Sequence, residues 1–186
     1  MFDKSMNTQP EISKSTRHKK IAGDFGEALV LYWLSKHGFE CAMVDHTGID
    51  IIARNPRTRD LMGISVKSRT RNPNTVGDAL NVHIDEYDKA QRACEAFGCQ
   101  PYFALVLDHI ATISVFIVSA AKLKALAPPG ATYSAWKMTE AARVIYAEDP
   151  EVFAFEMACT TTRWWEGTGP SRECEPPPAA AFADPS

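Results

Sequence analysis

The chain has 186 residues, 45% of them hydrophobic, with 20 Lys+Arg against 23 Asp+Glu and a net charge of −3. That length and apolar fraction suit one domain with tails and a sizeable core. The absence of any apolar run of about 18 residues argues against a membrane span, and polar opening residues without an apolar stretch predict no signal peptide.

Residues 1–16 are polar, with Pro10 and scattered serines, and are predicted to be a disordered arm. A single domain is expected over 17–166. Arg17, His18, Lys19 and Lys20 precede the first helix, predicted over Ala22–His37, where basic residues oppose the macrodipole and a bound phosphate would relieve the conflict. On that helix Phe25, Leu29, Tyr32 and Trp33 share one face. Glu27 lies on the flank with Gly23, Val30 and Leu34. Gly38 is a helix-ending glycine.

Phe39–Val44 is predicted to be a short strand, with an edge position as one option, and Asp45–Gly48 a turn. Ile49–Ala53 and Met62–Val66 are central strands joined through Asn55–Asp60 as a hairpin. Arg69–Gly77 is expected to be a polar loop and Asp85–Phe97 a helix with Asp85 as N-cap and Gly98 at its end. Tyr102–Leu107 and Thr112–Val118 are apolar strands, and a short helix over Ala120–Leu126 is stopped by Pro128-Pro129-Gly130. A helix over Trp136–Tyr146 and a strand over Val152–Met157 follow. Trp164-Trp165 is read as a packing cap, with base stacking as the sharper alternative. From residue 167 the Pro- and Ala-rich composition predicts a disordered tail. The order implies an α/β (α+β) fold in which a mixed central sheet is flanked by helices.

Five cysteines at irregular spacing, without a C-x-x-C pair, argue against zinc and for free thiols in a cytoplasmic protein. Charge is unevenly spread. Residues 1–71 hold 12 Lys+Arg against 8 Asp+Glu, and residues 72–186 hold 8 against 15. A basic half can bind phosphates whatever the overall charge.

That basic half carries the most informative stretch, Gly48-Ile49-Asp50-Ile51-Ile52 followed by Gly63-Ile64-Ser65-Val66-Lys67. A carboxylate inside an apolar run is costly unless compensated, so Asp50 is the first candidate. Lys67 ends the next run and is placed to pair with it; a plain salt bridge is the bland alternative. Two acids, Glu27 and Asp50, beside a lysine suit a metal-dependent phosphodiesterase: the acids hold Mg²⁺ and the lysine positions or polarises water. Strand alternation carries Arg69 and Arg71 to the side of Lys67, with Ser68 between, as phosphate contacts. His46 and His83 are left as surface residues.

This arrangement resembles the PD-(D/E)xK nuclease superfamily, closest to its small Holliday-junction-resolvase-like branch, over about residues 17–118. The resemblance implies a restriction-endonuclease-like core, with Glu27 as the helix glutamate, Asp50 as the strand aspartate and Lys67 as the lysine. It implies Mg²⁺ (or Mn²⁺), DNA as partner, and a homodimer, for which the strands between Tyr102 and Val118 are candidates. The acid expected two residues before the lysine is Ser65. Three readings stay open: Ser65 bonds a metal-bound water, another acid such as Asp45 or Asp78 substitutes, or the domain only binds. The functions expected are therefore a Mg²⁺-dependent DNA endonuclease of repair, recombination or defence, or a degenerate module that binds nucleic acid or serves in assembly.

Overall fold

A glycine sets where the first helix lies. In the computed structural model, which describes residues 14–72, 75, 79–109 and 111–159, helix α1 (His18–Lys36) buries Gly26, Leu29, Val30 and Leu34. Phe25 and Tyr32, expected on the buried face, are exposed. The reason is close approach: a Cβ on Gly26 would overlap Ser68 Oγ. The buried face is thus centred on a residue with no side chain, which hydrophobic periodicity does not register.

Three strands then run as a meander: β1 (Glu40–His46), β2 (Ile49–Arg54) and β3 (Leu61–Thr70). The β2–β3 turn is closed by Asn55, whose side-chain oxygen accepts from the N–H groups of Arg57 at 2.9 Å and Thr58 at 3.3 Å. Strand β3 extends beyond its apolar run, through Thr70, so the start of the expected loop at Arg69 is strand instead. A short strand, β4 (Leu80–His83), leads into α2 (Ile84–Phe97). The N-cap of α2 is His83 rather than Asp85: the imidazole accepts from Asp85 N–H, and Asp85 and Glu86 occupy the first turn, where they favour the dipole. Gly98, with φ of 65°, ends the helix as expected.

Strands β5 (Gln100–Asp108) and β6 (Thr112–Ser119) form a hairpin, and α3 (Ala120–Leu126) is capped by Ser119. The region expected as one helix over Trp136–Tyr146 is divided. Trp136 ends strand β7 (Tyr133–Trp136), and α4 (Glu140–Glu148) starts after the Thr139 cap, whose hydroxyl accepts from Ala142 N–H. Trp136 and Tyr146 still meet, stacked with ring centroids 3.8 Å apart. Strand β8 is Phe153–Ala158.

The main sheet has the order β1-β2-β3-β5-β6-β8. Its neighbours are antiparallel except β3 and β5, which are parallel because β4 and α2 carry the chain across between them. Both missed strands, β4 and β7, pair with each other, Leu80 opposite Trp136. The fold class is the one expected: a mixed sheet flanked by helices. One face packs on α1 through Leu29, Val30 and Leu34 against Ile51, Ile64 and Val66. The other packs on α2, α3, α4 and the small sheet, around Phe103, Leu105, Phe116 and Trp136. Strands β5 and β6 are inside the sheet and buried on both faces, so the expected dimer surface between Tyr102 and Val118 is covered by the chain itself. Among the described residues the free edges are β1 and β8.

Among the described residues Cys41, Cys94, Cys99 and Cys159 are free thiols, and no helix is long and apolar enough to cross a membrane. Asp78, Trp164, Trp165, Cys174 and the predicted tail lie outside the described residues, as do residues 1–13 of the predicted arm.

Candidate active site

The site lies where β2 leaves β3. Their ladder ends at the pair Ile51–Ile64, yet β3 continues to Thr70 along β5. Beyond that fork the edge of β3 has no neighbouring strand among the described residues. Asp50 closes the first gap, its Oδ2 accepting from Val66 N–H at 2.6 Å. A half-buried carboxylate is thereby held beside the next residue, Lys67. Burial raises the Asp50 carboxyl above the ordinary range, against the lowering effect of the Val66 N–H and Lys67, and the charge of Glu86 adds to the rise.

Glu27 reaches the same place from α1. The approach at Gly26 brings the next residue down to the sheet margin, half-buried. Its carboxyl is also raised, first by burial and then by the charges of Asp50 and Asp24, while Lys20 and Lys67 act in the lowering direction. Glu27, Asp50 and Lys67 therefore lie within electrostatic reach of one another.

Lys67 does not pair with Asp50. Its ammonium donates to Glu86 Oε2 at 2.6 Å, with both side chains 23% exposed. Glu86 also takes Lys89 through Oε1 at 2.7 Å. Burial alone would raise the Glu86 carboxyl, but the hydrogen bonds from Lys67 and Lys89 outweigh it and hold the group below its ordinary value. Glu86 is a third acid at the site that the sequence reading missed. In sequence it is one of two acids in the first turn of a helix, a pattern that favours the dipole anywhere. Asp45, one of the acids considered in place of Ser65, is exposed on β1.

Ser65 is 1% exposed. It shares a face of β3 with Gly63 and Lys67. That face looks toward α2, since a Cβ on Gly63 would meet the Cys94 and Cys99 sulfurs at 2.5 and 2.7 Å.

A groove of about 640 Å³ runs from Lys67 along the open edge of β3 to the start of α1, lined by Lys14, His18, Lys19, Lys67, Ser68 and Arg69 among others. Among the described residues no acid lines it. Lys14 Nζ donates to Thr70 O and His18 Nε2 contacts Thr70 Oγ1, each at 3.0 Å, which fixes the start of α1 against β3. Arg17 is exposed beside it, while Lys20 is paired with Asp24 at 3.0 Å. Arg69 is exposed, its guanidinium donating to Ser68 O at 2.9 Å. Arg71 lies past the end of the strand, half-buried, and donates to Ala79 O at 2.6 Å. His46 is exposed on β1, and His83 caps α2.

Among solved structures, the chain is similar to a Holliday junction resolvase of the archaeal hyperthermophile Archaeoglobus fulgidus, at 23% sequence identity and a TM-score of 0.47, over 66% of this chain and 88% of that one. No family model matches the chain, and no curated protein matches it at a significant level.

The donor chemistry of the site is that of a hard cation: carboxylate oxygens, with no thiol or imidazole among them. Among the described residues no three His, Cys, Asp or Glu converge as a ready metal cage. Mg²⁺ does not require one, being held through one or two carboxylates with waters and substrate phosphates. Asp50 with a neighbouring glutamate fits such an open site.

Proposed function

We propose that the protein is a divalent-metal-dependent DNA endonuclease that hydrolyses phosphodiester bonds in repair, recombination or defence. The observation that supports this best is the continuity of the carboxylate–lysine cluster with a basic, acid-free groove. Asp50 and Glu27 would hold Mg²⁺ or Mn²⁺, which supplies Lewis-acid polarisation of a phosphoryl oxygen and a more acidic water. Lys67 would position that water or the scissile phosphate. Lys19, Arg69 and Arg17 would hold flanking phosphates along the open edge of β3. Ser68 has a buried hydroxyl without a hydrogen-bond partner, directed at Gly26, and is kept as a nucleic-acid contact only through its backbone. Two sites acting on two strands would need a homodimer; light scattering at monomer mass across micromolar concentrations rejects that part.

A second reading is a module that binds DNA without cutting it. It is favoured by the buried serine at position 65 and by the engagement of Lys67 with Glu86. Incubation with linear, branched and single-stranded DNA in Mg²⁺ or Mn²⁺ separates the two. Cleavage by the wild type that Asp50→Ala abolishes supports the endonuclease. Salt-dependent binding with no cleavage supports the module, and neither result rejects both.

A further inference from the structure

The endonuclease reading leaves the position of Ser65 without a carboxylate, and α2 brings one to the same face of β3. Ser65 and Lys67 both point toward α2, and Lys67 meets Glu86 there at 2.6 Å. Glu86 is held in the first turn of α2, half-buried, with one lysine on each carboxylate oxygen. Its charge acts on Asp50, which hangs from Val66 N–H next to Lys67. Among the described residues, the charged groups that act on one another here are Glu27 from α1, Asp50 from β2, Lys67 from β3, and Glu86 and Lys89 from α2. The Lys67 ammonium is a cation already held on Glu86, within electrostatic reach of Asp50.

We infer that Glu86 supplies the carboxylate that β3 lacks at Ser65, so that Glu86, in place of Glu27, joins Asp50 in holding the divalent cation between β2 and α2, and Lys67 leaves Glu86 as the ion enters. This rests on the endonuclease reading of the site. It adds that the lysine and the ion compete for one carboxylate. A Glu86 that only neutralised Lys67 would give no such competition, so the two roles differ in what happens when the lysine is removed.

The test is calorimetric titration of Mn²⁺ into the full chain as wild type, Glu86→Gln, Lys67→Met and the double variant, with circular dichroism to confirm folding. Glu86→Gln is expected to weaken binding at least about ten-fold, the lower end of what losing even an outer partner of a metal ligand does. Lys67→Met is expected to tighten binding by freeing Glu86, and the double variant to match Glu86→Gln. Lys67→Met keeps the test open if Glu86→Gln does not fold. Wild-type affinity in Glu86→Gln, unchanged or weaker affinity in Lys67→Met, or no Mn²⁺ binding by the wild type overturns the inference. DNA cleavage is measured separately. Cleavage with Mn²⁺ affinity indifferent to Glu86 rejects this assignment and leaves the endonuclease; Mn²⁺ bound through Glu86 without cleavage does the reverse.

Discussion

Gly48→Ala is expected to damage both stability and the site, for two reasons that can be separated from a general loss of a glycine. Gly48 has φ of 106°, and an added Cβ would stand 2.5 Å from the carbonyl carbon of Lys89 and 3.0 Å from Ala90 N. The backbone strain alone costs about 1–3 kcal/mol. The contact is with helix backbone, which cannot rotate away, and overpacking of this kind costs about 1–3 kcal/mol more. The sum is roughly 2–5 kcal/mol, against a total stability on the order of 5–15 kcal/mol for a domain. Relief requires the β1–β2 turn and α2 to part by about 1 Å to restore an ordinary contact distance. Asp50 is two residues past Gly48, and Glu86 is one turn before Lys89. The same movement therefore separates the two carboxylates, and a misplacement of about 1 Å can cost on the order of 10²-fold in rate. Gly23→Ala is the control. Gly23 lies within α1, and a Cβ added there would meet nothing within 4 Å, so alanine should stabilise by about 0.5–1 kcal/mol. Urea unfolding gives both values. Gly48→Ala within about 0.5 kcal/mol of wild type, the range of a neutral surface change, would refute the reasoning.

Asp50→Asn should abolish cleavage yet stabilise the fold by about 0.5–2 kcal/mol at neutral pH, measured by urea unfolding. Burial raises the Asp50 carboxyl, so its ionised form is held less well folded than unfolded, while asparagine still offers an oxygen to Val66 N–H. The sign follows: the penalty is fully present above the raised folded value and fades as pH falls toward the unfolded one, so the gap between the two proteins should close in acid; a destabilised Asp50→Asn counts against this account. Changing Lys19 and Arg69 together to alanine should flatten the salt dependence of duplex DNA binding by about 1.8 units, two phosphate contacts at about 0.9 each, and an unchanged slope would place DNA elsewhere. Arg71→Ala should behave differently, lowering stability by about 1–3 kcal/mol because the carbonyl of half-buried Ala79 loses its donor; thermal melts equal to those of Arg69→Ala would reject that distinction.

The parts of the fold legible in the sequence are those whose signal is local. The β2–β3 hairpin, the helix ended by Gly98, and the Ser119-capped α3 each announce themselves through turn or cap residues. Strands β4 and β7 do not. Each is four residues long, and each exists because of the other, whose paired residues lie 50 to 56 positions away. Their residues carry no alternation long enough to read. Trp136, expected to open a helix running to Tyr146, ends a strand instead, and it meets Tyr146 across a strand end, a cap and a helix.

The site divides along the same line. Asp50 and Lys67 stand out because a charge inside an apolar strand demands compensation. The form of that compensation is not legible. Nothing local says that the β2–β3 ladder stops at Ile51–Ile64, and it is this stop that turns Asp50 toward Val66 N–H and frees the edge of β3 for a groove. Nor does anything local tie Glu86 to Lys67, 19 positions earlier. The link depends on α2 crossing the sheet between two parallel strands, which delivers the first turn of the helix to the fork. One topological feature, the crossover between β3 and β5, therefore sets both the open edge of β3 and the ion pair that Glu86 makes with Lys67 there.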